Sequence, residues 1–279
     1  MTKNHNFFRK SLCEWKQIRQ FQQYGWIFRG QRNSQRGLKT TLERACENYA
    51  VSLQQKGNII EKATIREFKR KFHHYSQYIP AKDDTLEWLS LMQHYGGPTR
   101  LLDFTYSIYI AAYFALENQL AQDEVDKGYA IWAINANWAI DQSAKKYAEG
   151  SDQYRFLKKI IQGGEEEASF FECTFRKNNS KLLACPQNPF TLNERLTIQK
   201  GVFMCPGNVT SSFEDNLCSL PGWEERENVL EMIIPERMRR EALDWLYDMN
   251  ISRATLFPGL DGFAQSLMVS PPKGWDDKS

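Results

Sequence analysis

One stretch of the chain combines side chains of the kinds that bind polar ligands or transfer protons. The segment from Gln93 to Thr105 contains an imidazole, a phenol, two threonine hydroxyls, a guanidinium and a carboxylate around a Gly-Gly-Pro turn. Ordering so polar a loop costs conformational entropy, and loops of this kind often form functional sites. The residues leave two alternatives open: a binding or catalytic site, or a structural turn in which Arg100 pairs with Asp103.

A shorter polar segment, Arg29-Gly30-Gln31, directly follows the apolar residues 26–28. Those apolar residues predict a strand, and a glycine after an aromatic strand lets backbone or ligand approach closely. Because both polar segments lie beside glycines, we expect them to form one cleft. The side chains expected to line it are Arg29, His94, Arg100 and Asp103.

Two other polar features have simpler interpretations. His73 and His74 are adjacent and cannot both face one metal ion from one helix face, so we expect a solvated pair and no metal site. The basic run from Lys62 to Lys71 is typical of the wet face of an amphipathic helix. Contact with a polyanion is the alternative, with Phe68 and Phe72 packed inward.

Composition excludes several classes of protein. The 279 residues include 36 Lys and Arg against 34 Asp and Glu, a net charge of +2, which gives no global attraction to nucleic acid or anionic membrane. No apolar run approaches the roughly 20 residues that span a bilayer, and no apolar signal-peptide core is present. We therefore expect a cytoplasmic protein without membrane contact and with reduced cysteines. The oligomeric state is left open.

Hydrophobic periodicity and capping signals predict the elements that position these segments. The predicted helices cover residues 11–25, 42–53, 65–72, 84–95, 107–115, 143–164 and 236–249, with a short one near 263. The predicted strands cover residues 26–28, 128–134, 195–204 and 229–234. Together they indicate an α+β fold: a single domain over residues 1–269 with a helical N-terminal part and a mixed, mainly antiparallel sheet. Residues 270–279 are expected to form a flexible tail.

These segments resemble the signatures of the FRG domain. Phe28-Arg29-Gly30 resembles the motif that names the family, and His94 to Thr105 resembles its H-Y-G-x-P-T-R-L-L-D-W-T signature. Residues 111–115 resemble its A-x-Y-F-A helix. Phe104 stands where the family has Trp, so the aromatic body is kept and an indole donor is lost.

Two later stretches extend the resemblance to about residues 24–267. Residues 195–203 resemble the family's R-x-x-x-Q-x-G-x-F stretch, and residues 256–262 resemble its L-F-P-x-L-D-G. Leu256-Phe257-Pro258 is apolar, and proline cannot continue a strand. We therefore expect these three residues to pack against the sheet and take no part in chemistry.

A further resemblance, to the ADP-ribosyltransferase superfamily, implies an NAD-using activity. Members carry a first-strand Arg or His, a hydroxyl before a helix, and a later Glu or Gln. Arg29, Thr105 and Gln199 follow in that order here. The resemblance implies an ADP-ribosyltransferase-like fold and either ADP-ribose transfer or NAD hydrolysis. The FRG resemblance implies a bacterial or phage-related setting, including antiphage defence and toxin roles.

This implied chemistry assigns roles to particular side chains, because cleaving the nicotinamide–ribose bond develops positive charge on the ribose. Arg29 would hold NAD by a forked contact, and Asp103, held by Arg100 or Arg29, would stabilise the charge. His94 would bind the ribose or transfer a proton, and Gln199, which cannot act as a base, would orient the substrate. The other residues expected to contact NAD are Gly30, Gln31, Tyr95, Thr99, Arg100 and Thr105.

Functions from two other classes stay open. One is a catalytically silent module that binds a nucleotide or a protein. The other is a polyanion binder that uses the Lys62 to Lys71 face, although the near-neutral net charge argues against it. For a transferase, the acceptor could be a protein or a nucleic acid.

Overall fold

The computed structural model describes residues 5–160, 171–177 and 181–268. The predicted tail at residues 270–279 and the last residues of the predicted helix at 143–164 lie outside these ranges. No helix within them is long and apolar enough to cross a bilayer.

A seven-stranded sheet forms the centre of the described structure. In chain order its strands are β1 (Arg9–Ser11), β2 (Trp26–Gln31), β3 (Leu102–Thr105), β4 (Tyr129–Asn135), β5 (Ala184–Gln187), β6 (Gly201–Pro206) and β7 (Val229–Ile234). Across the sheet the order is β1-β7-β4-β2-β3-β6-β5. Strand β1 runs parallel to β7, and the other neighbours are antiparallel. The predicted α+β class with a mixed, mainly antiparallel sheet is confirmed.

Helices connect and follow these strands. The described α-helices are α1 (Thr41–Asn48), α2 (Leu53–Lys71), α3 (Thr85–His94), α4 (Ile108–Leu116), α5 (Ala136–Ala144), α6 (Asp152–Ile160), α7 (Glu194–Ile198), α8 (Phe213–Cys218), α9 (Arg239–Asp248), α10 (Arg253–Leu256) and α11 (Leu260–Ser266). Shorter turns of 3₁₀-helix cover Trp15–Phe21, Phe72–His74, Gln122–Lys127 and Glu236–Met238, and a π-helix covers Glu172–Lys177. Along the chain, the three helices α1 to α3 come after β2 and before β3, although the two strands are neighbours in the sheet.

The two helices that flank the polar signature begin where capping residues predict. Asp84 accepts a hydrogen bond from the backbone N–H of Glu87 at 3.0 Å at the start of α3. Ser107 likewise accepts from Ile110 at the start of α4. Gly96, with a φ of +78°, closes α3 in the left-handed conformation that favours glycine. The local signals therefore place both ends of the signature correctly.

Residues 11–25 do not form the predicted α-helix. Arg9–Ser11 pairs with β7, and the N–H of Leu12 donates to the carbonyl of Ile233 at 2.9 Å. Sheet pairing therefore takes the place of a helix start at Ser11. The helical periodicity that follows appears as the 3₁₀-helix Trp15–Phe21, which buries Trp15 and Ile18.

The prediction of an extended segment over residues 195–204 is wrong in its first half. Asn193 caps α7 by accepting from the N–H of Leu196 at 2.8 Å. Lys200 then reverses the chain with a φ of +47°, and the strand begins at Gly201. Strands β3 and β5, of four residues each, are too short for periodicity to predict.

Each face of the sheet carries its own hydrophobic core, because side chains alternate along a strand. Ile27 packs in one core with Leu89 and Met92 of α3. Phe28 packs in the other with α4, whose Ala111 and Ala115 are fully buried. Arg29 shares the face of Ile27, and Gly30 shares the face of Phe28.

The backbone of α4 approaches the sheet closely at Gly30. A Cβ atom at this position would lie 1.9 Å from the carbonyl oxygen of Ala111 and 2.6 Å from the backbone nitrogen of Ala115. The glycine therefore admits a helix backbone here. The expectation that Gly30 contacts NAD is replaced by this packing role.

Gly30→Ala should lower the free energy of unfolding by about 3 kcal/mol, since the added methyl group meets rigid helix backbone in a packed core. Urea unfolding measures the change. The control is Gly150→Ala, where nothing lies within 4 Å and only the φ of +81° is strained, which should cost about 1 kcal/mol. Equal effects at the two positions would contradict the close-approach explanation.

Candidate functional site

Arg29 and Asp103 lie together on neighbouring strands, as the sequence predicts. Phe28 pairs with Thr105, and the Arg29 guanidinium donates to the backbone carbonyl of Asp103 at 2.7 Å. Burial lowers the pKa of Arg29, the charge of Asp103 opposes this effect, and nearby Arg44 adds to it. The Asp103 carboxylate itself stays exposed to solvent and is therefore accessible to a ligand.

Gln93 orients the Asp103 carboxylate. Its Nε2 donates to Oδ2 of Asp103 at 2.8 Å. Its Oε1 accepts from the hydroxyls of Thr99 at 2.5 Å and of Thr41 at 3.2 Å. Because an ionised carboxylate can only accept, the amide nitrogen faces Asp103 and the amide oxygen faces the two hydroxyls. Gln93 is the first residue of the polar segment that the sequence singles out, but sequence reasoning assigned it no role.

His94 lies half-buried at the end of α3, close to Arg195. Burial lowers the pKa of the His94 imidazole, and the positive charge of Arg195 lowers it further. The ring is therefore neutral at pH 7 and able to accept a proton or a hydrogen bond. Tyr95, a predicted NAD contact, is 67% exposed and meets His94 edge-on, with ring centroids 4.8 Å apart.

Arg195 is a second accessible arginine beside Asp103, and sequence reasoning gave it no role. It lies half-buried in α7. Burial lowers its pKa and the charge of Asp103 opposes that shift. Among the residues that the structure describes, none forms a hydrogen bond or ion pair with its guanidinium. Its position as the first residue of an R-x-x-x-Q stretch was the available signal.

Arg100 does not join this group. Its side chain is 1% exposed, and both it and Glu61 are enclosed by the core. The guanidinium donates to Oε1 of Glu61 at 2.6 Å and, through a second nitrogen, to Oε2. It also donates to the carbonyl of Phe175 at 2.7 Å. The expected roles of Arg100, as an NAD contact or as the partner of Asp103, are therefore replaced by a buried ion pair.

Electrostatics support that pair. Burial alone would lower the pKa of Arg100, but the charge and hydrogen bonds of Glu61 raise it overall. The Arg100 guanidinium thus stays charged inside the core, where its ion pair with Glu61 compensates that charge. Glu61 lies on α2 and gives no local sequence signal of its partner, since Arg100 is far along the chain.

The side chains of Thr105 and Gln199 also form hydrogen bonds with the protein backbone. The Thr105 hydroxyl is buried, donates to the backbone carbonyl of Gln199 at 2.7 Å, and accepts from the N–H of Ser107. The Gln199 side chain donates to the carbonyl of Leu256 at 3.0 Å. Gln199 caps the end of α7, so its predicted place on an extended segment is wrong. These bonds join the signature to the C-terminal helices.

The side chains of Thr99 and Gln31 also form hydrogen bonds within the protein. Thr99 is fully buried and holds Gln93. Gln31 donates to the carbonyls of Asn33, at 3.2 Å, and of Arg36, which fixes the turn after β2. Both residues therefore act indirectly: Thr99 holds Gln93, which orients Asp103, and Gln31 fixes the turn that follows Arg29 on β2.

The resulting site is a cluster of positive side chains around one exposed carboxylate. We call it the arginine cluster and define it as Arg29, Arg44, Arg195, His94 and Asp103. Within the cluster three guanidiniums stand against one carboxylate, and Arg44 is exposed. The carboxylate of Glu117 also acts on Arg195, but it is paired with Arg253. Such an excess of fork donors suits a phosphate or another multivalent anion. No group of three potential metal ligands occurs in the part of the chain that the structure describes.

A cavity of about 630 Å³ lies elsewhere, between the start of β2 and the edge formed by β1. Phe21, Trp26 and Leu230 are among the residues that line it. None of the predicted site residues lines it. The chemistry-bearing side chains and this cavity are therefore separate features of the molecule.

The fold and the cluster together define an α+β protein with an arginine-lined polar site at the central strands of a mixed sheet. The model of the FRG domain family matches residues 24–124, a range that contains Arg29, His94 and Asp103. Residues 24–124 are therefore similar to the FRG domain, and the resemblance drawn from the sequence is confirmed over that range. No protein with curated annotation and no solved structure matches the chain.

The sheet extends beyond the matched range. Strands β4 to β7 all follow residue 124, yet β4 pairs directly with β2 and β6 with β3. The stretches at residues 195–203 and 256–262 also lie outside the match, so their assignment to the family stays a prediction.

Proposed function

We propose that the arginine cluster binds a phosphate-bearing nucleotide, and that the nucleotide is NAD. The observation that carries the proposal is the excess of guanidiniums around Asp103, with no hydrogen bond or ion pair to the Arg195 guanidinium among the described residues. Guanidinium forks bind phosphate oxygens in pairs. A half-buried arginine without a hydrogen-bonded carboxylate is costly to desolvate, and an anionic ligand would offset that cost.

For NAD, the cluster also contains the groups that cleavage of the nicotinamide–ribose bond requires. Arg29 and Arg195 would hold the pyrophosphate. Asp103, oriented by Gln93, would face the ribose and stabilise the positive charge that develops there. His94, neutral at pH 7, would accept a proton from the attacking group. The protein would then act as an NAD glycohydrolase or an ADP-ribosyltransferase.

A nucleotide-binding module without catalysis is the second candidate. The observation that favours it is the position of Gln199, whose amide is engaged with Leu256 and is not free to orient a substrate. Both candidates require the same phosphate site. They differ in whether nicotinamide is released, which a product assay decides directly.

The polyanion alternative receives less support. Arg70 and Lys71 on α2 both pair with Glu67, and Lys69 lies over the ring of Trp88 at 5.3 Å. These contacts are those of a solvated helix face. We therefore place anion binding at the arginine cluster.

The setting of the activity follows from the family resemblance. We propose a cytoplasmic protein that acts as a toxin or antiphage effector by consuming NAD. A protein or nucleic-acid acceptor would distinguish transfer from hydrolysis. Labelled NAD incubated with a lysate reports which macromolecule, if any, becomes modified.

Arg29→Ala should weaken binding of ADP-ribose by roughly ten- to a hundredfold, as expected for loss of a charged hydrogen-bonding group. Arg29→Lys should not restore binding, because a point charge cannot replace the fork. Isothermal titration calorimetry with ADP-ribose measures the affinity without turnover. Arg70→Ala, an exposed arginine outside the cluster, is the matched control.

The melting temperature of each variant must accompany these titrations. Arg29→Ala removes one bond to the Asp103 carbonyl, so the expected loss of stability is small, on the order of 1 kcal/mol. A folded Arg29→Ala protein with wild-type affinity would refute the proposed phosphate site. An equal loss in Arg70→Ala would indicate nonspecific attraction instead.

A further inference from the structure

The guanidinium groups of two arginines contact the aromatic ring of Phe257. The guanidinium carbons of Arg195 and Arg253 lie 4.6 Å and 4.4 Å from its centroid. Such contacts are cation–π interactions, with the positive charge over the negative face of the ring. Phe257 therefore links the arginine cluster to the C-terminal helices α10 and α11.

The two arginines use their N–H groups differently. Arg253 donates to Glu117 at 2.6 Å and to Gln265 at 2.8 Å, so it anchors α10 to α4 and α11. Arg195 has no such acceptor among the described residues. A cation–π contact holds the guanidinium over the ring without using its N–H donors as hydrogen-bond donors to the protein. Arg195 is thus positioned without its hydrogen-bonding capacity being used.

Phe257 is itself held firmly in place. The preceding Leu256 is buried, and its carbonyl accepts the Gln199 amide at 3.0 Å. The Phe257 carbonyl lies so close to Gly262 that a Cβ there would meet it at 1.8 Å. Phe114 of α4 meets the ring edge-on, with centroids 6.0 Å apart. The ring is therefore a rigid platform for Arg195.

We infer that Phe257 is a positioning residue of the phosphate site: its ring holds Arg195 so that the free N–H edge is available to the ligand phosphate. The inference rests on the proposed function, because it requires that Arg195 contact the nucleotide. It also alters the prediction for residues 256–258. Leu256 and Phe257 both pack with the core as expected, and Phe257 in addition supports the site through Arg195.

Phe257→Leu tests this role, since leucine keeps the apolar bulk and removes the π face. It should weaken ADP-ribose binding by roughly two- to thirtyfold, the range that loss of one cation–π contact implies. Phe257→Tyr keeps the aromatic face and should bind as wild type does. Phe263→Leu, an exposed aromatic on α11, is the matched control and should also bind normally.

Calorimetry on Arg195→Gln and on the double variant Arg195→Gln/Phe257→Leu completes the test. If Phe257 acts through Arg195, Phe257→Leu causes no further loss of affinity in the Arg195→Gln background. Equal multiplicative losses in both backgrounds would overturn the inference, as would wild-type affinity in a folded Phe257→Leu protein.

The outcomes also separate this inference from the proposed function. Loss of binding in Arg195→Gln with none in Phe257→Leu would reject the positioning role and keep the phosphate site. Absence of ADP-ribose binding by the wild-type protein would reject both. Because Phe257→Leu could also destabilise α10, the rescue by Phe257→Tyr and a thermal melt identify a merely structural loss.

Discussion

Replacing Arg100 with methionine should lower the free energy of unfolding by about 3–5 kcal/mol, because it leaves the Glu61 carboxylate uncompensated in the core. Glu61 is 1% exposed, so solvent cannot replace the two hydrogen bonds it loses. Urea unfolding followed by circular dichroism measures the change. A loss this large is a substantial fraction of the stability of a typical domain.

The double variant Arg100→Met/Glu61→Leu is the matched control. Removing both charges at once avoids the unpaired carboxylate, so this variant should be clearly more stable than Arg100→Met alone. If Arg100 instead served a ligand, Arg100→Met would fold stably and lose affinity for nucleotide. That result would contradict the core role that its bonds to Glu61 indicate.

Asp103→Asn should reduce release of nicotinamide from NAD by about a hundredfold or more, as for loss of one well-placed electrostatic group. The substitution keeps the shape of the side chain. The Asp103 backbone carbonyl, which accepts from Arg29, is unaffected. Affinity for ADP-ribose should therefore change little, while turnover falls.

Nicotinamide release and thermal melting are measured on the same Asp103→Asn preparation. Unchanged turnover with a lowered melting temperature would exclude the catalytic role of Asp103. Wild-type protein that binds NAD without releasing nicotinamide would identify the binding module in place of the enzyme. Gln93→Leu should reproduce part of the Asp103→Asn effect, since it removes the donor that orients the carboxylate.

The parts of the fold that were predictable are those with strong local signals. Asp84 and Ser107 mark helix starts, Gly96 marks a helix end, and the apolar run at β4 is continuous. Each of these features depends on residues within one or two turns of the chain. The meeting of Arg29 with Asp103 followed from two glycine-flanked motifs and the expectation of a shared site.

The features that were not predictable depend on pairings between distant residues. Nothing near Arg100 in the sequence indicates Glu61, so an arginine inside a polar signature was expected at the surface. Arg195 was overlooked because α7 has only five residues, too few for helical periodicity to be evident. Gly30 was interpreted correctly as a point of close approach, but the approaching group is the backbone of α4.

Calorimetric titration of NAD into the wild-type protein, with Arg29→Ala/Arg195→Gln as the reference, tests the central claim most directly. The arginine cluster predicts saturable binding by the wild-type protein that weakens as salt is raised. It predicts that the double variant, while still folded, loses this binding. Equal binding by the two proteins, or none by the wild type, would contradict a nucleotide site at the arginine cluster.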